Sequence, residues 1–219
     1  MPSIIHTPLS TFAAATALLT HLRDARTPRH DFVRFANRFC ILLAEAVLGL
    51  YSAPCSVTTP TGSQAPGLSL PPPSRCAAVS IVRSGDVLAA AFASLEPLMC
   101  CGGKLLIQRD EAHPDKPARF LLRKLPPSLP TAERVFLCDP MLASGGSVLL
   151  AIEELLRAGV AEERVVFVCL VAAPEGLAKL AAHHPKVEVV CGCVDEGLNG
   201  EKFILPGLGD FGDRWFGTL

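Results

Sequence analysis

The sequence predicts an α/β fold: a parallel β-sheet core flanked by helices. Between residues 134 and 191, short apolar runs alternate with amphipathic segments as strand–helix–strand–helix–strand, the order that parallel crossovers require. Inside that stretch Val165–Val171 is apolar at every position, whereas a strand with one wet face would alternate. Composition agrees. Of 219 residues, 50% are hydrophobic and 19% charged, which supplies a full core and excludes global disorder.

The first fifty residues read as helical. From Asp31 to Leu50, Phe32, Phe35, Phe39, Leu42, Leu43, Ala46, Val47 and Leu50 keep a helical period, with Asp31 placed to cap the start. Residues 51–78 interleave Pro54, Pro60, Pro66 and Pro71–Pro73 with Gly, Ser and Thr. That composition predicts a long loop or a strand-and-loop excursion, serving as a mobile lid or as a poorly ordered insertion. Ala77–Val82 then reads as a strand closed by the turn Arg83-Ser84-Gly85, Val87–Leu98 as a helix, and Lys104–Ile107 as a strand leading into Gln108-Arg109-Asp110-Glu111. Arg134–Cys138 is a strand, Ser147–Ala158 a helix ended by Gly159, Val165–Val171 a strand, Gly176–His184 a helix and Val187–Cys191 a strand.

A net charge of −1 argues against a dedicated nucleic-acid binder. Arg23, Arg26, Arg29, Arg34 and Arg38 make the N-terminal part locally basic, and a solvated helix face accounts for them. No apolar run reaches membrane-spanning length, and Phe12–Leu19 has no Lys or Arg before it, so a soluble cytoplasmic protein is expected. The nine cysteines lack paired zinc-site spacing and read as reduced, mostly buried thiols, so no metal site is expected from them.

The sharpest local feature is Cys138-Asp139-Pro140-Met141-Leu142-Ala143-Ser144-Gly145-Gly146-Ser147. A buried strand ends in a carboxylate, passes a small-residue turn and enters a helix. Free N–H groups at the helix start suit an anion at residues 143–147, with Asp139 placed for sugar hydroxyls. The Gly-Lys-Ser/Thr of a nucleoside-triphosphate loop is missing. As a bare pattern, this is equally an ordinary strand–helix turn with Ser147 as N-cap.

Asp139–Ser147 resembles the phosphoribosyl-diphosphate signature of the uracil phosphoribosyltransferase family. The resemblance extends to Cys169–Gly176, to Leu205–Thr218 with its Pro206-Gly207-Leu208-Gly209-Asp210-Phe211-Gly212-Asp213-Arg214 core, to Ile81–Gly85 and to Leu106–Glu111. It is dense from about residue 79 to the end and is more like eukaryotic members at Phe211 and 108–111.

The resemblance implies a type I phosphoribosyltransferase-like single domain over 1–219: a helical part at 1–50, the Pro-rich region, a core at 79–191, and a hood segment at 192–219 that joins N-terminal residues over the site. It implies conversion of uracil and phosphoribosyl diphosphate (PRPP) to UMP and diphosphate, with Mg²⁺ carried mainly by PRPP. Arg83 and Arg109 would face the diphosphate, with Lys104 a weaker candidate. Asp139 would hold ribose hydroxyls, and Pro140, Met141, Leu142, Ala143, Ser144, Gly145, Gly146 and Ser147 the 5′-phosphate. Ile204, Gly209, Asp210 and Phe211 would read uracil, with Asp210 also facing the donor. Asp139, Arg109 and Asp210 are the catalytic candidates. A cis peptide after Arg83, a GTP effector and a homo-oligomer are implied as well. The sequence departs from the family at Ser84, Asp86, Ala89 and Ser144. The altered 86–89 loop supports a second reading, a catalytically impaired nucleotide-binding or regulatory protein. Asp213 and Arg214 read as a mutual pair.

Overall fold

The computed structural model describes residues 5–109 and 117–218, apart from the side chain of Arg109. Asp110 and Glu111 of the charged run lie outside the described residues. The first half contains β1 (Ile5–His6), α1 (Ala13–Arg23), α2 (Arg29–Leu50), β2 (Ala53–Thr58), β3 (Gln64–Ser69), β4 (Cys76–Val82), α3 (Gly85–Leu95) and β5 (Cys100–Arg109). The second contains β6 (Ala118–Lys124), β7 (Arg134–Cys138), β8 (Met141–Leu142), α4 (Gly146–Arg157), β9 (Val165–Ala172), α5 (Pro174–His183), β10 (Glu188–Val194), β11 (Gly197–Leu198), β12 (Ile204–Leu205) and α6 (Phe211–Phe216).

The main sheet runs β1-β10-β9-β7-β4-β5-β6, with β8 added beside the end of β9. Every pairing is parallel except β5 with β6. The chain steps outward from β4 to β5 on one side and later from β7 to β9 on the other. The order therefore reverses between β4 and β7, and a crevice opens at their C-terminal ends.

Both faces are covered because the strand residues point both ways. On β9, Val166, Val168 and Leu170 join α1, α2 and α3 on one face. Val165, Phe167 and Cys169 join Val148, Ile152 and Leu155 of α4 and Leu180 of α5 on the other. Phe136 centres the first layer, stacked on Phe92 at 4.9 Å between ring centroids and tilted against Tyr51 at 6.0 Å.

Several boundaries differ from expectation for local reasons. Helix α2 begins at Arg29 behind Pro28, so Asp31 sits inside the first turn and pairs with Arg34 at 2.7 Å instead of capping. Helix α3 stops at Leu95, not Leu98, because Glu96 precedes Pro97 and leaves the helical region. Helix α5 starts two residues early, on Pro174, whose missing N–H costs nothing in a first turn. Strand β5 continues through Gln108 and Arg109, and the unforeseen β6 pairs with it antiparallel. The run Phe120-Leu121-Leu122 has no alternation to announce that strand, and its side chains are exposed. The 51–78 region is a two-stranded hairpin, β2 with β3 in register from Ala53↔Ser69 to Thr58↔Gln64. None of its residues lines the cleft described below, which argues against a lid.

Among the described residues, no helix is long and apolar enough to cross a membrane. All nine cysteines are unbonded thiols, five of them buried. Burial, and then neighbouring Asp195, push the Cys193 thiol up to about 12.

Two outcomes follow. Phe136→Ala, which empties the stacked pocket, is expected to cost about 3–5 kcal/mol in equilibrium denaturation. With a pKa raised to about 12, Cys193 is ~10⁻⁴ thiolate at pH 8. Timed iodoacetamide labelling read by mass spectrometry should therefore show slow modification of the native protein, accelerating as pH rises toward that value.

Candidate active site

The crevice at the strand ends holds a cleft of about 520 Å³. One wall carries Arg83 and Ser84 after β4, Gln108 on β5, and Asp139, Met141, Ala143 and Ser147 after β7; the facing wall carries Lys202–Ile204 and Gly209–Gly212. A hollow of about 30 Å³ adjoins it, lined by Asp139 and residues 141–148. Asp139, Met141, Ala143 and Ser147 line both, so the turn and the cleft are continuous.

The turn is held by β9. Asp139 donates its N–H to Val168 O at 3.2 Å, Leu170 N–H donates to Pro140 O at 2.9 Å, and Ala173 N–H donates to Leu142 O at 2.8 Å. Strand β8 fills the interval, with Met141 opposite Val171 and Leu142 opposite Ala172. Gly145, at φ +79°, turns the chain into α4 and is its N-cap, the role expected of Ser147. Ser147 lies in the first helical turn and lines the cleft. Gly176 permits α5 to close in from the other side, since a Cβ there would stand 2.3 Å from Ala143 O. The start of α4 thus presents unpaired N–H groups and partial positive charge beside Ser144 and Ser147.

The cis peptide in this region is Val82–Arg83, one bond before the expected position. The Arg83 guanidinium lies 3.1 Å from Asp213, 3.3 Å from the Thr218 hydroxyl and 4.8 Å from the centre of the Phe216 ring. Asp213 therefore pairs with Arg83 and not with its neighbour. Arg214 turns the other way, donating to the carbonyls of Leu22, Leu208 and Asp24. Lys104 sits 2.6 Å from Asp86, which also accepts from the Ser80 hydroxyl, and it does not line the cleft. Asp86 is thus the partner of Lys104, whereas Arg83, paired with Asp213, lines the cleft. Arg109 ends β5 on the same side.

The facing wall is an arm. Strands β11 and β12 pair Leu198 with Ile204, and the cis Leu205–Pro206 bond and Gly207 then redirect the chain. Gly207 has φ +60°, and a Cβ there would lie 2.1 Å from Ile204 O. Gly209, at φ +79°, is exposed, as is Asp210. Asp210 caps α6, accepting from Asp213 N–H at 2.9 Å. Phe211 is 1% exposed, its ring edge-on to Phe32 at 5.4 Å, so it anchors the arm to α2. Lys202 and Phe203 also line the cleft and were not anticipated; their place immediately before Ile204 is the only cue the sequence offers.

Of the residues expected at the site, Arg83, Asp139, Met141, Ala143, Ser147, Ile204 and Gly209–Phe211 line the cleft and Leu142 and Ser144–Gly146 the adjoining hollow, whereas Pro140 and Lys104 line neither. The model of the family named uracil phosphoribosyltransferase matches residues 9–218. A uracil phosphoribosyltransferase of Dictyostelium discoideum is 43% identical over 206 residues, covering 92% of this chain and 91% of that protein. One of Saccharomyces cerevisiae is 40% identical over 209 residues, covering 91% and 90%. Among solved structures, the AQ2163 protein of Aquifex aeolicus superposes with a TM-score of 0.79 at 27% identity, covering 97% of this chain and 98% of that one. The chain belongs to the uracil phosphoribosyltransferase family, and with that family it is a pentosyltransferase of pyrimidine salvage.

Proposed function

We propose that this cleft joins uracil N1 to the anomeric carbon of PRPP. The N1–C1′ bond forms, the C1′–O bond to diphosphate breaks, and the N1 proton is released, giving UMP and diphosphate. The observation that carries the reading is the continuity of the anion-binding turn at 143–147 with the arm at 204–212 through Asp139.

In this reading the 5′-phosphate rests on the α4 N-terminus and the Ser144 and Ser147 hydroxyls, and Asp139 accepts from the ribose hydroxyls. Two reactants held in one cleft gain most of their rate from position, and the leaving diphosphate needs fixed positive groups. Arg83 fits that need as a planar bidentate donor whose orientation is already set by Asp213, Thr218 and Phe216. Arg109 is assigned beside it. Uracil lies against Ile204 and Gly209–Phe211, where a small planar base is read by backbone N–H and C=O groups at its edges.

Mg²⁺ enters with the donor. Among the described residues no group of three His, Cys, Asp or Glu is placed to hold a metal, whereas Asp139 and Asp210 are single carboxylates on the cleft wall. That donor set fits an ion coordinated chiefly by PRPP oxygens, with a carboxylate at its edge. Bound there, the ion would offset diphosphate charge.

The test is UMP formation from labelled uracil, PRPP and Mg²⁺, with hypoxanthine, orotate and cytosine as competing bases. Runs with and without GTP, at several protein concentrations, address the GTP effector and the homo-oligomer. Uracil-specific UMP formation is the expected result. Donor binding without any product would favour the regulatory reading. Asp210→Asn should lower kcat/KM by about 10²-fold. Thermal unfolding should barely move, because Asn caps a helix about as well as Asp.

A further inference from the structure

The end of α1 meets the end of β10 at an ion pair that the chemistry above does not use. Arg23 donates to both oxygens of Asp195, at 2.8 and 2.5 Å, and the Asp195 side chain is only 4% exposed. The pair continues into the arm. Arg23 Nη1 also donates to the Gly207 carbonyl at 2.6 Å, and Gly207 N–H donates to Asp195 Oδ2 at 2.9 Å. Both backbone polar groups of one arm residue are thus held by one ion pair.

The anchor is itself rigid, because Asp195 N–H donates to Ala172 O at 2.8 Å, at the end of β9. Arg214 adds a second grip, reaching Leu208 O at 2.7 Å and Asp24 O at 2.8 Å. Gly207 lies between Ile204 and Gly209, so its orientation decides where the next peptide groups point.

We infer that Arg23 and Asp195 are positioning residues for the base: by fixing Gly207 they orient the 207–209 backbone from which a pyrimidine edge is read, and they govern uracil affinity and not donor affinity. This rests on the assignment of 204–211 to the base. Neither side chain lines the cleft, so both act through the loop. With Asp195 buried and Arg23 a quarter exposed, desolvation offsets part of the attraction between the charges, and the bonds from both partners to Gly207 fix its orientation. A planar guanidinium matches a carboxylate with two parallel N–H groups and keeps others for the carbonyl, which an ammonium on a flexible stem does not reproduce.

The test compares the wild type with Asp195→Asn and the milder Arg23→Lys, which also serves if the first variant folds poorly. Steady-state kinetics are combined with calorimetric binding of Mg²⁺–PRPP alone and amide hydrogen exchange. The expected result is a uracil KM raised on the order of 10- to 100-fold. PRPP binding should be unchanged, and exchange should be faster at the amides of 205 and 207–209 while β9 stays protected. Equal losses in uracil and PRPP affinity would overturn the inference, marking the pair as general scaffold. An unchanged uracil KM with retained loop protection would show that the pair does not hold the loop. An unchanged uracil KM with lost protection would overturn both the inference and the assignment of the base to 204–211. A raised KM with unchanged exchange would equally sink it, because the effect would not pass through the loop.

Discussion

Strand β9 has every side chain buried, so its backbone must find all its partners within the sheet. On one side it pairs with β7 as far as Cys138↔Val168 and then with the residues beyond, through Asp139, Pro140 and β8. On the other it pairs with β10 as far as Val194↔Ala172, where Ala172 O accepts from Asp195. The hydrogen-bonding demand of one strand therefore places both the 139–147 turn and Asp195, which holds Gly207 of the arm. The two halves of the cleft share a rigid reference because they are bonded to opposite edges of the same strand end.

Electrostatics around the cleft follow a consistent division. Lys104 is matched by Asp86 and Arg83 by Asp213, and all four side chains are 31–48% exposed. Such pairs contribute little to stability and orient their cations at small cost. The Arg83 guanidinium at the cleft edge is therefore held in place and still in contact with solvent. The Arg23–Asp195 pair is of another kind. Desolvation offsets its attraction, and its hydrogen bonds run into the backbone of the arm, where they set direction.

The turn itself relies on one left-handed backbone conformation and one close approach that a side chain would block. At Gly145 the chain takes φ +79° to enter α4, and at Gly176 helix α5 passes against Ala143 O. Helix α4 is thereby aimed with its N-terminus at the crevice between β4 and β7. On the arm, the positive φ of Gly209 brings the backbone of 209–210 to the cleft wall beside Ile204 and Asp210.

Much of this was legible in the residues. Val165–Val171 announced a doubly covered strand because burial on both faces suppresses alternation. The order of segments over 134–191 announced parallel crossovers, and Asp139–Ser147 announced a turn suited to an anion, since these features depend on neighbours in sequence. Strand β6 was not legible, because an edge strand takes its identity from pairing with β5 and not from its own period. Arg23 could not be told from its solvated neighbours, and Asp213 seemed matched to Arg214. Their true partners, Asp195 with Gly207 and Arg83, lie 130 to 184 residues away. Local chemistry determined by itself which segments form strands, helices and the anion turn. Which charges meet, and how the arm is aimed at the turn, was decided only by the tertiary structure, because those contacts join segments far apart in sequence that meet only in the folded chain.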